Sequence, residues 1–97
     1  NFEFYMNREY AYNRDGGKCK TCGEKLVESN RHCHWIKENE PLNKINKVAN
    51  LAWFCKRCDG YIHREEIPKS IDNSKIKKIR KYRSKLELKI QLARHML

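Results

Sequence analysis

Apolar residues near the end of the chain recur at steps of three or four, the spacing of one face of a helix. The members of this stripe are Ile76, Ile79, Tyr82, Leu86, Leu88, Ile90, Leu92, Ala93 and Leu97. The pattern predicts a long helix from about Asn73 to Met96. Ser70 or Asp72 is the expected N-terminal cap, because both residue types accept hydrogen bonds from the first turn of a helix.

Residues 31–36 predict a strand, in which successive side chains point to opposite faces. The alternation of a strand would place His32 and His34 on one face. Cys33 and Trp35 would then lie on the opposite face. Cys33 is expected to be a small buried hydrophobe, and Trp35 to belong to the core.

Turn residues and short apolar runs predict the remaining elements. They are a connection at residues 1–6, a short helix at 7–13, a polar loop at 37–46, a second strand at 51–54 and a helix at 56–65. The glycine pair at positions 16 and 17 ends the first helix. Two short strands with helices around them predict a small α+β fold.

The composition indicates that a hydrophobic core alone does not hold this fold together. Only 39% of the 97 residues are apolar and 35% are charged, so a metal ion or disulfides would be needed. The five cysteines are an odd number, which argues against a closed disulfide set and for a reducing compartment. Four of them form two Cys-x-x-Cys pairs, Cys19–Cys22 and Cys55–Cys58, separated by 32 residues. This spacing predicts a structural Zn²⁺ site, with a redox pair as the alternative.

The net charge of +10 is distributed unevenly along the chain. Residues 1–68 contain 12 Lys and Arg against 10 Asp and Glu, whereas residues 69–97 contain 10 against 2. We therefore expect a zinc-bound core at 1–68 and a basic C-terminal helix at 69–97 that packs on the core or extends from it. No apolar run approaches the ~20 residues that span a membrane, so no membrane partner is expected.

The basic helix predicts a polyanionic partner, DNA or RNA. The residues expected to contact phosphates are Lys77, Lys78, Arg80 and Lys81. Such contacts would not read base sequence, and binding would weaken steeply with salt. The alternative is a solvated lysine face that only keeps the helix soluble.

A second set of candidate ligands lies in the first strand and in the helix after the second cysteine pair. Asp59 and His63 are four residues apart and so project from one helix face, and His34 would join them from the strand. Oxygen and nitrogen ligands together suit Mg²⁺, Mn²⁺ or a catalytic Zn²⁺. The chemistry that such a site serves is phosphodiester hydrolysis, with an imidazole taking a proton from water. Asn50 would tie the loop across the site and orient that imidazole.

Several of these positions together resemble an HNH endonuclease domain, most closely the C-terminal one of group II intron-encoded reverse transcriptases (maturases). The residues that carry the resemblance are Arg8-Glu9-Tyr10, the run from Asn13 to Cys19, Cys22-Gly23, His34, Asn50-Leu51, and the run from Cys55 to His63. The resemblance implies a ββα-metal fold that nicks target DNA for intron mobility. It also implies an upstream reverse transcriptase domain in a longer parent chain. A start at Asn1 and not at Met independently leads us to expect a fragment of a longer protein. Intron RNA would be a partner through that parent, in the bacterial cytoplasm at the nucleoid.

The chain departs from this family at two positions. Where the family has His-His-Ile, this chain has His34-Trp35-Ile36, so an indole without a basic nitrogen occupies the general-base position. Where the family has His after the second cysteine pair, this chain has Asp59, which remains a good ligand for a hard cation.

Three interpretations of Trp35 follow. The domain is inactive through decay or engineering, His32 substitutes as the base, or the metal ion supports slow turnover without a protein base. A different class of function, a non-catalytic zinc-binding module for DNA or RNA, is the alternative to a nuclease.

Overall fold

A computed structural model describes residues 2–63 and 65–95, with side chains described as far as residue 85. The elements in chain order are helix α1 (Phe2–Arg14), strand β1 (Arg31–Trp35), helix α2 (Leu42–Ile45), a 3-10 turn (Val48–Asn50), strand β2 (Leu51–Cys55), helix α3 (Lys56–Ile62) and helix α4 (Asn73–His95). The predicted α+β class is confirmed, with β1 and β2 forming a two-stranded antiparallel sheet. The loop predicted at 37–46 contains the short helix α2.

Helix α1 is longer than predicted, and the prediction of a connection at residues 1–6 is wrong. The helix spans 13 residues because its aromatic side chains pack on the sheet. The ring of Phe4 lies 6.1 Å from that of Trp35, and the ring of Tyr12 lies 5.8 Å from that of Trp53. Aromatic residues have only a weak intrinsic preference for helix, so these tertiary contacts decide the conformation.

Strand β2 is buried at all five positions because elements cover both of its faces. Trp53 lies on the α1 side, where its indole donates a 2.7 Å hydrogen bond to the Arg8 carbonyl. Phe54 lies on the other side, where its ring packs 5.2 Å from that of Tyr82 in α4. A strand covered on both faces has no need for alternating polar positions, which explains the continuous apolar run.

Helix α4 packs on the core through the first part of its apolar stripe. Ile79 is fully buried and Tyr82 nearly so, while Arg83 donates hydrogen bonds to the carbonyls of Tyr61 and Glu65. Asp72 directly precedes the helix, and its carbonyl accepts from the amide of Ile76. The predicted stripe positions from residue 86 onward lie outside the described side chains. Across the described residues, no helix is both long and apolar enough to cross a bilayer.

Candidate metal centres

Four thiols meet where two turns of the chain approach each other. Cys19 and Cys22 lie in the turn after α1, whereas Cys55 ends β2 and Cys58 lies in the first turn of α3. Their sulfur atoms all lie within 4.8 Å of one another. The Cys22 and Cys55 sulfurs are 3.8 Å apart. Tetrahedral zinc with Zn–S bonds of about 2.3 Å would require an edge of about 3.8 Å.

Backbone amides support two of these sulfurs. The amide of Glu24 donates to Cys22 Sγ and the amide of Cys58 donates to Cys55 Sγ, both at 3.4 Å. Gly23 has a φ of 76°, which is a conformation that glycine adopts without steric cost. The turn at Gly23 brings the amide of Glu24 to face Cys22 Sγ. Hydrogen bonds of this kind orient thiolate ligands of a metal ion.

The protons of the cluster are shared between neighbouring thiols. A hydrogen bond from Cys58 lowers the pKa of Cys19 to about 3, and the same hydrogen bond raises the pKa of Cys58. Burial raises the pKa of Cys55 to about 11. A divalent cation would displace these protons and satisfy all four sulfurs at once. The four cysteines could therefore hold an ion such as Zn²⁺, as the sequence predicts.

The fifth cysteine lies outside this cluster. Cys33 is partly buried against the core, and burial raises its pKa to about 11. A thiol in these surroundings stays protonated near neutral pH, so Cys33 contributes packing and is not expected to act as a nucleophile.

The predicted second ligand set also comes together. Ligand atoms of His34 on β1, and of Asp59 and His63 on and after α3, lie within 4.8 Å of one another. The two imidazole rings are 5.0 Å apart, and His63 Nδ1 lies 3.3 Å from Asp59 Oδ1. We call these three residues the triad. The junction of β2 and α3 at the cysteine cluster sets their relative positions.

Two atoms of the triad fit a bound cation. His34 Nε2 and Asp59 Oδ1 touch each other, and both are shielded from solvent, yet neither has a hydrogen-bond partner among the described residues. A cation would satisfy the nitrogen and the oxygen together, because both atoms present lone pairs to it.

The ring of His63 contacts Asp59 through Nδ1. Its Nδ1 contacts the Asp59 carbonyl at 2.8 Å. A carbonyl oxygen only accepts hydrogen bonds, so Nδ1 carries the proton and Nε2 keeps a free lone pair. This tautomer is the one that a metal ligand or a proton acceptor at Nε2 requires.

Asn50 ties the loop across the site, as predicted, but it does not orient an imidazole directly. Its side-chain amide donates to the carbonyls of Lys37 and Ile45, at 3.0 and 2.9 Å, and its oxygen accepts from the Lys37 amide at 2.8 Å. These contacts use both donor hydrogens of Nδ2. The influence of Asn50 on His34 is therefore indirect, through the end of β1.

Replacing Asn50 with Ala is expected to lower the free energy of unfolding by about 1–3 kcal/mol, because three backbone groups lose their partner. Urea unfolding would measure the change. Asn39→Ala, an exposed amide in the same loop, is the control and should change stability by less than about 0.5 kcal/mol. Equal effects of the two substitutions would contradict the anchoring role.

Trp35 lies beside the triad and is only partly covered. It is 40% exposed, so the prediction that Trp35 belongs to the core is wrong, whereas Trp53 in β2 is 4% exposed and lies in the core. The indole of Trp35 donates a 2.9 Å hydrogen bond to Asn46 Oδ1. A narrow cleft is lined by Trp35, His34, His63, Ile36, Phe54, Ile62 and Tyr82. The other candidate base, His32, is exposed and lies outside the triad.

The four basic residues predicted to contact nucleic acid do not share one surface. Lys78 and Lys81 line a groove beside the first cysteine pair, together with Lys18 and Lys20. Lys77 and Arg80 are exposed elsewhere on α4. This pairing could not be predicted from the sequence, because residues 18 and 78 meet only in the folded chain.

Comparison with known proteins does not identify this chain. No protein-family profile, curated protein sequence or solved structure matches it. The two ligand sets and the surfaces around them are therefore the features of the chain that indicate its function.

Proposed function

We propose that this chain is an HNH-type nuclease domain, which hydrolyses phosphodiester bonds in DNA with Mg²⁺ or Mn²⁺ and is held together by one structural Zn²⁺. The observation that carries the proposal is the convergence of His34, Asp59 and His63 beside an antiparallel pair of strands and a helix. The resemblance in the sequence to HNH domains includes His34 and His63, and Asp59 stands where that family has His. Two structurally separate ligand sets, one of sulfur and one of nitrogen and oxygen, suit one structural and one reactive ion.

Each residue of the triad has a role in this proposal. His34 Nε2, Asp59 Oδ1 and the ring of His63 would hold the ion, which would stabilise negative charge on the scissile phosphate and the leaving oxygen. Asn50 fixes the loop that follows β1. The end of the strand that carries His34 would therefore keep its position during the reaction. Phe54 and Ile62 cover the inner wall of the cleft and limit the access of water from that side.

Native turnover is expected to be slow because the base position holds Trp35. Indole nitrogen donates a hydrogen bond and cannot take a proton from water. Two routes leave residual activity. His32 acts as a base through a rearrangement of β1, or the bound ion activates water without a protein base.

The resemblance places this activity in a mobile element. The proposed role is nicking of target DNA for a group II intron, with the reverse transcriptase and intron RNA as partners in the parent assembly and the bacterial nucleoid as its location. The net positive charge of the chain is consistent with a nucleic-acid partner.

Metal stoichiometry tests the proposal. We expect one tightly bound zinc per chain and one additional Mn²⁺ in the presence of duplex DNA, detected by elemental analysis and electron paramagnetic resonance. Asp59→Ala and His34→Ala should each weaken Mn²⁺ binding by at least about tenfold and leave zinc unchanged, because the two ligand sets share no residue. Residual plasmid nicking should fall in parallel.

His32→Ala is the matched control, because it removes an exposed imidazole from the same strand. It should keep the Mn²⁺ site, and a loss of nicking in this variant alone would identify His32 as the base. One zinc and no second ion, even beside DNA, would contradict the nuclease proposal. That result would favour the non-catalytic zinc module that binds DNA or RNA.

A further inference from the structure

A groove of about 390 Å³ separates the first Cys-x-x-Cys turn from one flank of α4. We call it the knuckle groove. Its charged and aromatic lining consists of Asp15, Lys18, Lys20, Lys78, Lys81 and Tyr82. The lysines come from two segments that are about 60 residues apart in the chain, so the fold itself brings them together.

The positive charge of the knuckle groove is only partly neutralised within the protein. Asp15 pairs with Lys20 at 2.9 Å and with Arg14 at 2.7 Å. Among residues 2–63 and 65–85, no ion pair within 4 Å involves Lys18, Lys78 or Lys81. Like charges that converge on a concave surface raise the local potential, and a bound anion lowers it.

The knuckle groove leads toward the triad. Tyr82 lines both the groove and the cleft that contains His34 and His63. The ammonium groups of Lys81 and Lys85 lie over the Tyr82 ring, at 5.7 and 5.5 Å from its centroid. Basic residues of α4 therefore extend from the groove over Tyr82, the residue that the groove shares with the cleft.

We propose that the knuckle groove binds the phosphate backbone of DNA next to the scissile position, through Lys18, Lys78 and Lys81. This inference rests on the proposed function, since it takes DNA as the substrate of the triad. It also divides the basic helix into two parts. Lys78 and Lys81 line the groove, whereas Lys77 and Arg80 do not line it and would contribute little.

Two double substitutions on α4 test this division, because each removes two positive charges from the same helix. Lys78→Ala/Lys81→Ala should reduce the slope of log K against log salt by about 2, since the slope is about −0.9 per phosphate contact. Lys77→Ala/Arg80→Ala should reduce it by less than half as much. Adding Lys18→Ala to the first pair should remove about one further contact.

Fluorescence anisotropy with a labelled DNA duplex, between about 50 and 200 mM salt, would give these slopes. Zinc content and circular dichroism would show that each variant is folded. A variant that does not fold would be replaced by one with Gln in place of Ala at the same positions. Equal reductions of the salt slope in the two α4 double variants would overturn the groove assignment. They would indicate that charge along the whole basic helix binds DNA. If Lys78→Ala/Lys81→Ala weakens binding to duplex RNA but not to duplex DNA, the choice of DNA as the ligand is overturned.

The measurement separates failure of the groove from failure of the nuclease proposal. Binding is measured without added Mg²⁺ or Mn²⁺, so it does not depend on the triad. If the groove assignment is wrong, Lys78→Ala/Lys81→Ala weakens DNA binding no more than Lys77→Ala/Arg80→Ala does, while the second metal ion and nicking remain. If the nuclease proposal is wrong, the second ion and nicking are absent while the groove-dependent salt slope persists.

Discussion

Replacing Trp35 with His is expected to raise the rate of plasmid nicking in Mg²⁺ or Mn²⁺ by roughly 10²–10⁴-fold, the usual contribution of a positioned general base. Residue 35 borders the cleft that contains His34 and His63, and its present indole has no lone pair to offer. An imidazole titrates near neutral pH and so can accept a proton from water under the conditions of the assay. The substitution adds the group that the site lacks and leaves the metal ligands unchanged.

Asn46 would help to hold the new imidazole. Its Oδ1 accepts from the Trp35 indole now, and Asn46 is buried, so this oxygen stays in place. A ring nitrogen of His at position 35 could donate to the same oxygen, which would leave the other nitrogen unprotonated and free to act as a base. Removing the acceptor with Asn46→Ala in the Trp35→His background should therefore reduce the gain.

Trp35→Phe is the control for the change in size and hydrogen bonding, because it keeps an aromatic ring and adds no base. It should nick no faster than the native chain. Trp35→His combined with Asp59→Ala should also be inactive, since the base would act without the ion. If the native chain already nicks as fast as Trp35→His, position 35 is not the base position and the slow turnover inferred from it is wrong.

The sequence was most informative where ligand spacing and chain topology act together. The two Cys-x-x-Cys pairs predicted the four-thiol cluster because each pair forms a local turn that needs little help from the rest of the fold. The spacing of Asp59 and His63 placed both on one helix face, and pairing of β1 with β2 brought His34 to them. These relations depend on short-range geometry, which the order of residues specifies.

The features that the sequence did not predict depend on contacts between distant segments. Helix α1 includes residues assigned to a connection because the sheet supplies packing partners for its aromatic rings. The knuckle groove joins Lys18 to Lys78 only through the packing of α4 on the core. The exposure of Trp35 also follows from packing, since α1 covers its strand face only in part.

Removing a metal ion bound by the four cysteines is expected to unfold the domain. The cluster joins the turn after α1 to β2 and α3, so it links three segments that enclose a small core. Structural zinc contributes roughly 10–16 kcal/mol in zinc-finger peptides, which is as large as the whole stability of a typical small domain. Chelation at neutral pH should abolish the cooperative thermal transition seen by circular dichroism, and Cys58→Ser should do the same without a chelator.

Cys33→Ser distinguishes loss of metal from loss of a thiol in general. Cys33 is partly buried but lies outside the cluster, so this variant should retain one zinc per chain and a cooperative transition, with its stability lowered by about 1–3 kcal/mol. The difference between the two cysteine variants follows from the geometry, because only Cys58 shares its proton with another thiol of the cluster. An unchanged unfolding transition after complete removal of zinc would show that the apolar core suffices. The cysteine cluster would then have to be explained by a role other than stability.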